Sequence, residues 1–229
     1  MGTDDIFAKK KAERKARKHD TRTPRVNSFL IVTEGEKTEP LYFEGLSKYI
    51  EQKYGSSPDI SKPTLEICGK GMCTTSLVIA AAEIRKSAPI MYENAWVVLD
   101  KDDFTDFDDA IELAEKTGLK VAWSNQSFEY WLYLHFEYCD AALHRGSWVD
   151  KLSDIFKQRG INPNGYKKND EKVFEVCVTN GSLKAAVGNA KRRETTYSKS
   201  GLPPSKRDPS TTVHKLVLEL KPYIEELFE

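Results

Sequence analysis

The hydrophobic positions along the chain change their spacing repeatedly, and each change marks an element. Phe29–Thr33 is an unbroken apolar and β-branched run, which predicts a buried strand. Leu41, Phe43, Leu46, Tyr49 and Ile50 then recur at helical spacing and predict a helix from about Glu39 to Gln52. A loop over Gly55–Pro63 leads to a short strand, Thr64–Cys68, and to the turn Gly69-Lys70-Gly71. Leu77, Val78, Ala81 and Ile84 place a second helix from Thr74 or Thr75 to about Lys86. Ala95–Leu99 reads as a third strand, Phe107–Lys116 as a helix ended by Gly118, and Leu119–Trp123 as a fourth strand. Strand and helix in this rhythm imply right-handed crossovers and a parallel sheet.

After Ser124 the rhythm stops. Ser127–Phe136, Trp148–Arg159, Glu171–Thr179, Leu183–Glu194 and Thr211–Leu227 all read as helices, with a polar loop over Ser198–Pro209 and no strong strand. The expected fold class is α/β: a small parallel sheet flanked by helices, with a helical C-terminal extension. Residues 1–25 form a basic arm, 26–137 the α/β core and 138–229 the helical region.

Composition narrows this picture only a little. Lys and Arg number 35, and so do Asp and Glu, so no global field selects an anionic partner. Local charge matters more. Lys9–Lys18 is strongly basic and has no apolar face; it is either a phosphate-neutralising arm or a solvated tail. The four cysteines are scattered, and Cys68 and Cys73 lack a second ligand pair, so reduced thiols are expected rather than zinc. No apolar stretch reaches membrane-spanning length, and a cytoplasmic protein is expected.

The candidate chemistry lies at two strand ends. Glu34-Gly35-Glu36-Lys37 follows the first strand, and Asp100-Lys101-Asp102-Asp103 follows the third. Parallel strands deliver both loops to one edge of the sheet. Side-chain direction along a strand has period two, so Asp100 and Asp102 face the same way if the chain stays extended between them. Gly35 permits a sharp turn after Glu34. Three hard oxygen donors of this kind suit magnesium, which takes few protein ligands and keeps several waters. The plain alternative is that these acids solvate strand ends or cap helices. Asp103 and Glu36 have no clear place in this pattern; either could reach a second metal. Asp106, Asp108 and Asp109 read as solvated helix-start acids.

Other residues carry a similar pair of readings. Glu129 is either an additional ligand or an N-terminal acid favoured by the helix dipole. His135, among Trp131, Leu132 and Leu134, reads as a packed core residue, and Asn125 as a helix cap. Gly69-Lys70-Gly71 is either a phosphate-binding turn or an ordinary one. Lys167 and Lys168 are the better basic candidates; Lys191-Arg192-Arg193 reads as a helix end complementing its dipole.

The order of these motifs supports a resemblance. One acid after the first strand, Glu34, and an Asp-x-Asp after the third, Asp100-Lys101-Asp102, resemble the Toprim domain of topoisomerases, primases and several nucleases. Thr33–Pro40 with Tyr42-Phe43 resembles the RloB family of Toprim-like proteins more specifically. Ser124–Leu132 with His135-Phe136, Tyr166-Lys167-Lys168 and Pro209–Val213 are similar to further family positions. Ser127 and Lys101 depart from the cysteine and arginine common there. The likeness runs from about Ser28 to Leu220.

The resemblance implies a prokaryotic anti-phage defence protein, of restriction loci or abortive-infection systems, often beside an ATPase. It implies a metal-dependent nuclease with Mg2+ or Mn2+ held by Glu34, Asp100 and Asp102, and with Glu129 joining them in catalysis. Lys37, Lys70, Lys101, Lys167 and Lys168 would hold the nucleic acid, DNA or RNA. The competing expectation is a non-catalytic subunit that binds nucleic acid or nucleotide and regulates the partner ATPase. Nucleotide transfer or hydrolysis is a third. A homo-oligomer is compatible with all three.

Overall fold

A computed structural model describes residues 24–55 and 63–229 of the chain. The basic arm up to residue 23 and most of the loop before the second strand lie outside the described residues. The alternation follows the hydrophobic pattern: β1 (Pro24–Thr33), α1 (Thr38–Tyr54), β2 (Thr64–Gly69), α2 (Thr74–Ser87), β3 (Met91–Asp100), α3 (Phe107–Lys116) and β4 (Lys120–Asn125). α4 (Phe128–Tyr133), α5 (Arg145–Gln158), α6 (Val173–Asn180) and α7 (Leu183–Tyr197) follow, then β5 (Ser210–Thr211) and α8 (Val213–Leu220).

The sheet order is β2-β1-β3-β4-β5. The first four strands are mutually parallel, as expected, and β5 runs antiparallel to the end of β4. β5 corrects the expectation of no strand after Ser124. Ser210 and Thr211 carry no apolar pattern; they become a strand only by pairing with Asn125 and Ser124. The expected helix Thr211–Leu227 is also shorter. α8 ends at Leu220 and gives way to 3₁₀ turns at Lys221–Tyr223 and Glu225–Phe228. Pro222 has no N–H to donate into the preceding turn, so the α-helix cannot continue through it.

Alternate residues of the strands feed two cores. Leu30, Val32, Val97 and Leu99 face α2 and α3. Phe29, Ile31, Trp96 and Val98 face α1 and the helices of the C-terminal region. That larger core includes Tyr42, Trp131, Trp148 and Phe174, all with essentially no exposure. Burying each such side chain contributes roughly 2–3 kcal/mol. The helical region thus shares its core with the sheet.

The strand order places a switch point between β1 and β3. The chain leaves β1 onto the α1 face and leaves β3 onto the α2–α3 face. Connections that part to opposite faces open a crevice at the carboxyl ends of neighbouring strands, the common place for a ligand in such sheets. Glu34 follows β1 directly, and Asp100 is the last residue of β3.

Candidate active site

A pocket of about 470 Å³ opens at this switch point. Glu34, Glu39, Asp100, Asp102 and Glu129 line it, together with Lys37 and Lys168. Each acid arrives by a different route.

Glu34 is drawn inward. Its backbone N–H continues the β1–β3 ladder by donating to Val98 O at 3.0 Å, and its Oε2 accepts from the Asp100 N–H at 3.2 Å. Burial raises its pKa to about 8; the Asp100 N–H opposes this, and the charges of Asp102 and Glu39 add to it. Asp100 sits deeper in electrostatic terms. Its Oδ2 accepts the Phe128 N–H at 2.9 Å, so it also secures the start of α4. Its Oδ1 is shut off from solvent and has no hydrogen-bond partner. Burial first, then Glu39, Glu129 and Glu34, push the Asp100 carboxyl well above the usual range. An orphaned buried oxygen among like charges is costly unless a cation shares the site.

Asp102 is placed otherwise than expected. β3 ends at Asp100, and the chain turns at once: Lys101 N donates to Ser124 O, Asp102 N donates to Gln126 O, and Asp102 has φ of 38°. The extended path that would align Asp100 with Asp102 is absent. Asp102 stands at the rim, where Arg145 from α5 grips its Oδ2 at 2.6 Å and also reaches Asp103 at 3.5 Å.

Glu129 and Glu39 form the other wall. Glu129 is almost completely buried in the first turn of α4, and its Oε1 meets Lys168 Nζ at 3.1 Å and the Tyr166 hydroxyl at 3.4 Å. Glu39 is not one of the strand-end acids that the sequence pattern singles out. It lies in the first turn of α1, buried, with Oε1 accepting from Gly35 N at 3.2 Å. Burial raises its pKa to about 6, with Glu129 adding and the Gly35 N–H and Lys168 opposing. Gly35 makes the approach possible, since a Cβ there would fall 2.3 Å from Glu39 Oε2. The available signal was Glu39's position five residues after Glu34, at the start of a helix whose inner face is apolar.

The basic candidates divide. Lys37 and Lys168 line the pocket. Lys168 is tied in by its backbone too, since its carbonyl accepts from Thr38 Oγ1 at 3.0 Å. Partial burial pulls its pKa down, but Glu129, Asp100 and Glu39 outweigh this and the net shift is upward. Lys101 turns back onto the Asp102 carbonyl. Lys70 and Lys167 are exposed and stand outside the pocket lining. The Gly69-Lys70-Gly71 turn does not present free N–H groups to a phosphate. Lys70 N and Gly71 N donate to Thr33 O and Glu34 O and pin the loop that carries Glu34.

Other expectations resolve plainly. Asp106 is no solvated acid: the hydroxyls of Thr74 and Thr75 bind its carboxylate and lower its pKa, while the Thr75 N–H makes it a cap for α2. Asp108 accepts from Ser205, and only Asp109 of the three is exposed. Asn125 is not a cap; its Nδ2 donates to Pro204 O and Ser205 O. Arg193 is buried within α7, donating to Pro209 O and the Tyr197 hydroxyl, rather than ending a helix. His135 is packed in the core as expected.

Among the described residues, no three His, Cys, Asp or Glu side chains form a ready-made metal cage. The pocket instead offers the Glu34–Asp100 pair and open volume. That is a poor fit to zinc or calcium and a good one to magnesium or manganese, bound through one or two carboxylates with water and substrate completing the shell.

The site is therefore an acidic crevice at the switch point of a mostly parallel α/β sheet. The chain belongs to the RloB-like family, whose model matches residues 29–220. No curated protein and no solved structure matches it. No helix among the described residues is long and apolar enough to cross a membrane.

Proposed function

We propose that the protein is a Mg2+- or Mn2+-dependent phosphodiesterase acting on nucleic acid, with a Toprim-like site, in prokaryotic anti-phage defence beside a partner ATPase. The observation that carries the catalytic reading is the solvent-shielded, unpartnered Oδ1 of Asp100, facing carboxylates on a pocket at the switch point. The defence setting and the ATPase rest on family resemblance alone.

In this reading Asp100 and Glu34 hold the cation. A bound divalent ion supplies Lewis-acid polarisation of the scissile phosphate. Water attacks phosphorus, one P–O ester bond breaks, and the leaving oxygen takes up a proton. Burial raises the Glu34 pKa to about 8, so Glu34 would give up its proton on taking the cation. Lys37 and Lys168 stand where backbone phosphates would enter. Arg145 keeps Asp102 at the rim, so Asp102 acts by its charge on Glu34.

The test is cleavage of single- and double-stranded DNA and RNA with Mg2+ or Mn2+, by wild type and Asp100→Ala. Asp100→Ala should abolish cleavage and metal uptake while leaving the circular dichroism spectrum unchanged. Undiminished cleavage by that variant would sink the assignment. Metal uptake without turnover on any nucleic acid would return the protein to the non-catalytic, binding-subunit reading.

A further inference from the structure

The pocket has two acidic walls that differ in one respect. The Glu34–Asp100 wall holds a buried oxygen with no partner. The Glu129–Glu39 wall already holds a cation, the Lys168 ammonium, 3.1 Å from Glu129 Oε1.

Several features show that Lys168 is seated there rather than passing by. Its own carbonyl is fastened to Thr38 Oγ1, on the first turn of α1 beside Glu39. Two residues earlier, Tyr166 is buried and shares Glu129 Oε1. Glu129 is essentially inaccessible, so its charge has no solvent to lean on. Truncating the lysine would leave an uncompensated buried carboxylate, which is strongly unfavourable. The ammonium also acts electrostatically on Glu39 and on Asp100, not only on its direct partner.

We propose that the pocket takes one divalent cation, on Glu34 and Asp100, and that Lys168 is the permanent second cation on Glu129 and Glu39. This rests on the metal-dependent reading above and deepens it. Phosphodiester-cleaving sites of the two-metal kind clamp the phosphate between a pair of ions about 4 Å apart. Here a charged side chain would stand in for one member of the pair. Its charge is single rather than double, but it carries three N–H donors for non-bridging or leaving oxygens. Lys168 is thereby a positioning residue for the acidic wall, and a direct phosphate contact once substrate enters.

The experiment counts Mn2+ ions per chain by native mass spectrometry and isothermal titration. Wild type should bind one. Lys168→Met, which keeps the length of the stem and removes the charge, should bind two. Lys168→Arg should return to one, and Lys168→Met combined with Glu129→Gln should lose the second ion again. Circular dichroism of each variant checks the fold, and the double variant, which neutralises Glu129 as well, leaves no unpaired buried charge. Two ions on wild type, or one on Lys168→Met, would overturn the inference while leaving the metal-dependent reading in place. No ion on wild type would overturn both.

Discussion

Two buried polar clusters are built from the same pair of helices, and they are opposites. On α1, Glu39 and Tyr42 are one turn apart; α4 carries Glu129 and Trp131, and His135 follows it. Glu39 and Glu129 belong to the acidic pocket. Tyr42, Trp131 and His135 belong to a closed aromatic cluster. In that cluster His135 Nδ1 lies 3.1 Å from the Trp131 carbonyl, which only accepts, so Nδ1 carries the proton. Nε2 then accepts from the Tyr42 hydroxyl at 3.1 Å. Edge-to-face contacts of Tyr42 with Phe43, Phe128 and Phe174 fill the space around it. Every polar atom of the His135 ring is satisfied in its neutral form. The pocket, built from the next turn of the same helices, has like charges and an orphaned oxygen. The aromatic side has an orphan too, the Trp131 Nε1–H, but that is a neutral donor, whereas the Asp100 oxygen stands among like charges, where a cation is wanted.

The comparison can be broken most forcefully by emptying the aromatic side. Trp131→Ala should cost about 3–5 kcal/mol, read from urea unfolding, because a fully buried indole leaves a cavity. A loss below about 1 kcal/mol would show that this cluster does not support the fold.

A slightly smaller effect comes from pH. Burial lowers the His135 pKa to about 4, with the Trp131 and Leu132 backbone contacts opposing. The unfolded chain therefore binds a proton that the folded one refuses. The stability tied to neutral His135 is complete above about pH 6.5 and is lost as pH falls toward 4, by about 3 kcal/mol. Unfolding free energies of wild type and His135→Leu, measured between pH 7 and 4, should diverge in slope by that amount. Parallel slopes would contradict a neutral buried imidazole.

The smallest change is expected on the acidic side. Glu34→Gln should alter stability by less than about 1 kcal/mol, and toward greater stability if anything, since it removes a buried acid whose charged form is disfavoured. Mn2+ affinity should fall nonetheless, by tenfold or more in a titration. A large loss of stability with unchanged affinity would invert the contrast between the two clusters.

Most of the sheet was legible in the sequence because apolar periodicity reports burial directly. β1, α1, β2, α2, β3, α3 and β4 each carry their own signal. β5 does not, since two polar residues become a strand only through a partner 87 positions away. The site was legible at Glu34 and Asp100, which strand ends deliver by themselves. It was not legible at Glu39, whose place depends on α1 packing beneath Gly35. Nor was Asp102's turn, which depends on carbonyls of Ser124 and Gln126 drawing the chain away from the strand. Local patterns fix what a residue is next to in sequence; tertiary hydrogen bonds decided these two positions.

α5 has a mechanical role that its sequence does not advertise. Arg145, its first residue, holds the Asp102 rim, and the segment just beyond its far end supplies Tyr166 and Lys168 to the opposite wall. A helix of 14 residues is a stiff strut about 20 Å long. Trp148 and Leu152 clamp its first half into the core, Trp148 against the rings of Tyr130 and Tyr133. Both jaws of the crevice are thus mounted on one bar. A push or rotation of that bar from outside would widen or narrow the mouth at two points together, without touching the strands that hold Glu34 and Asp100.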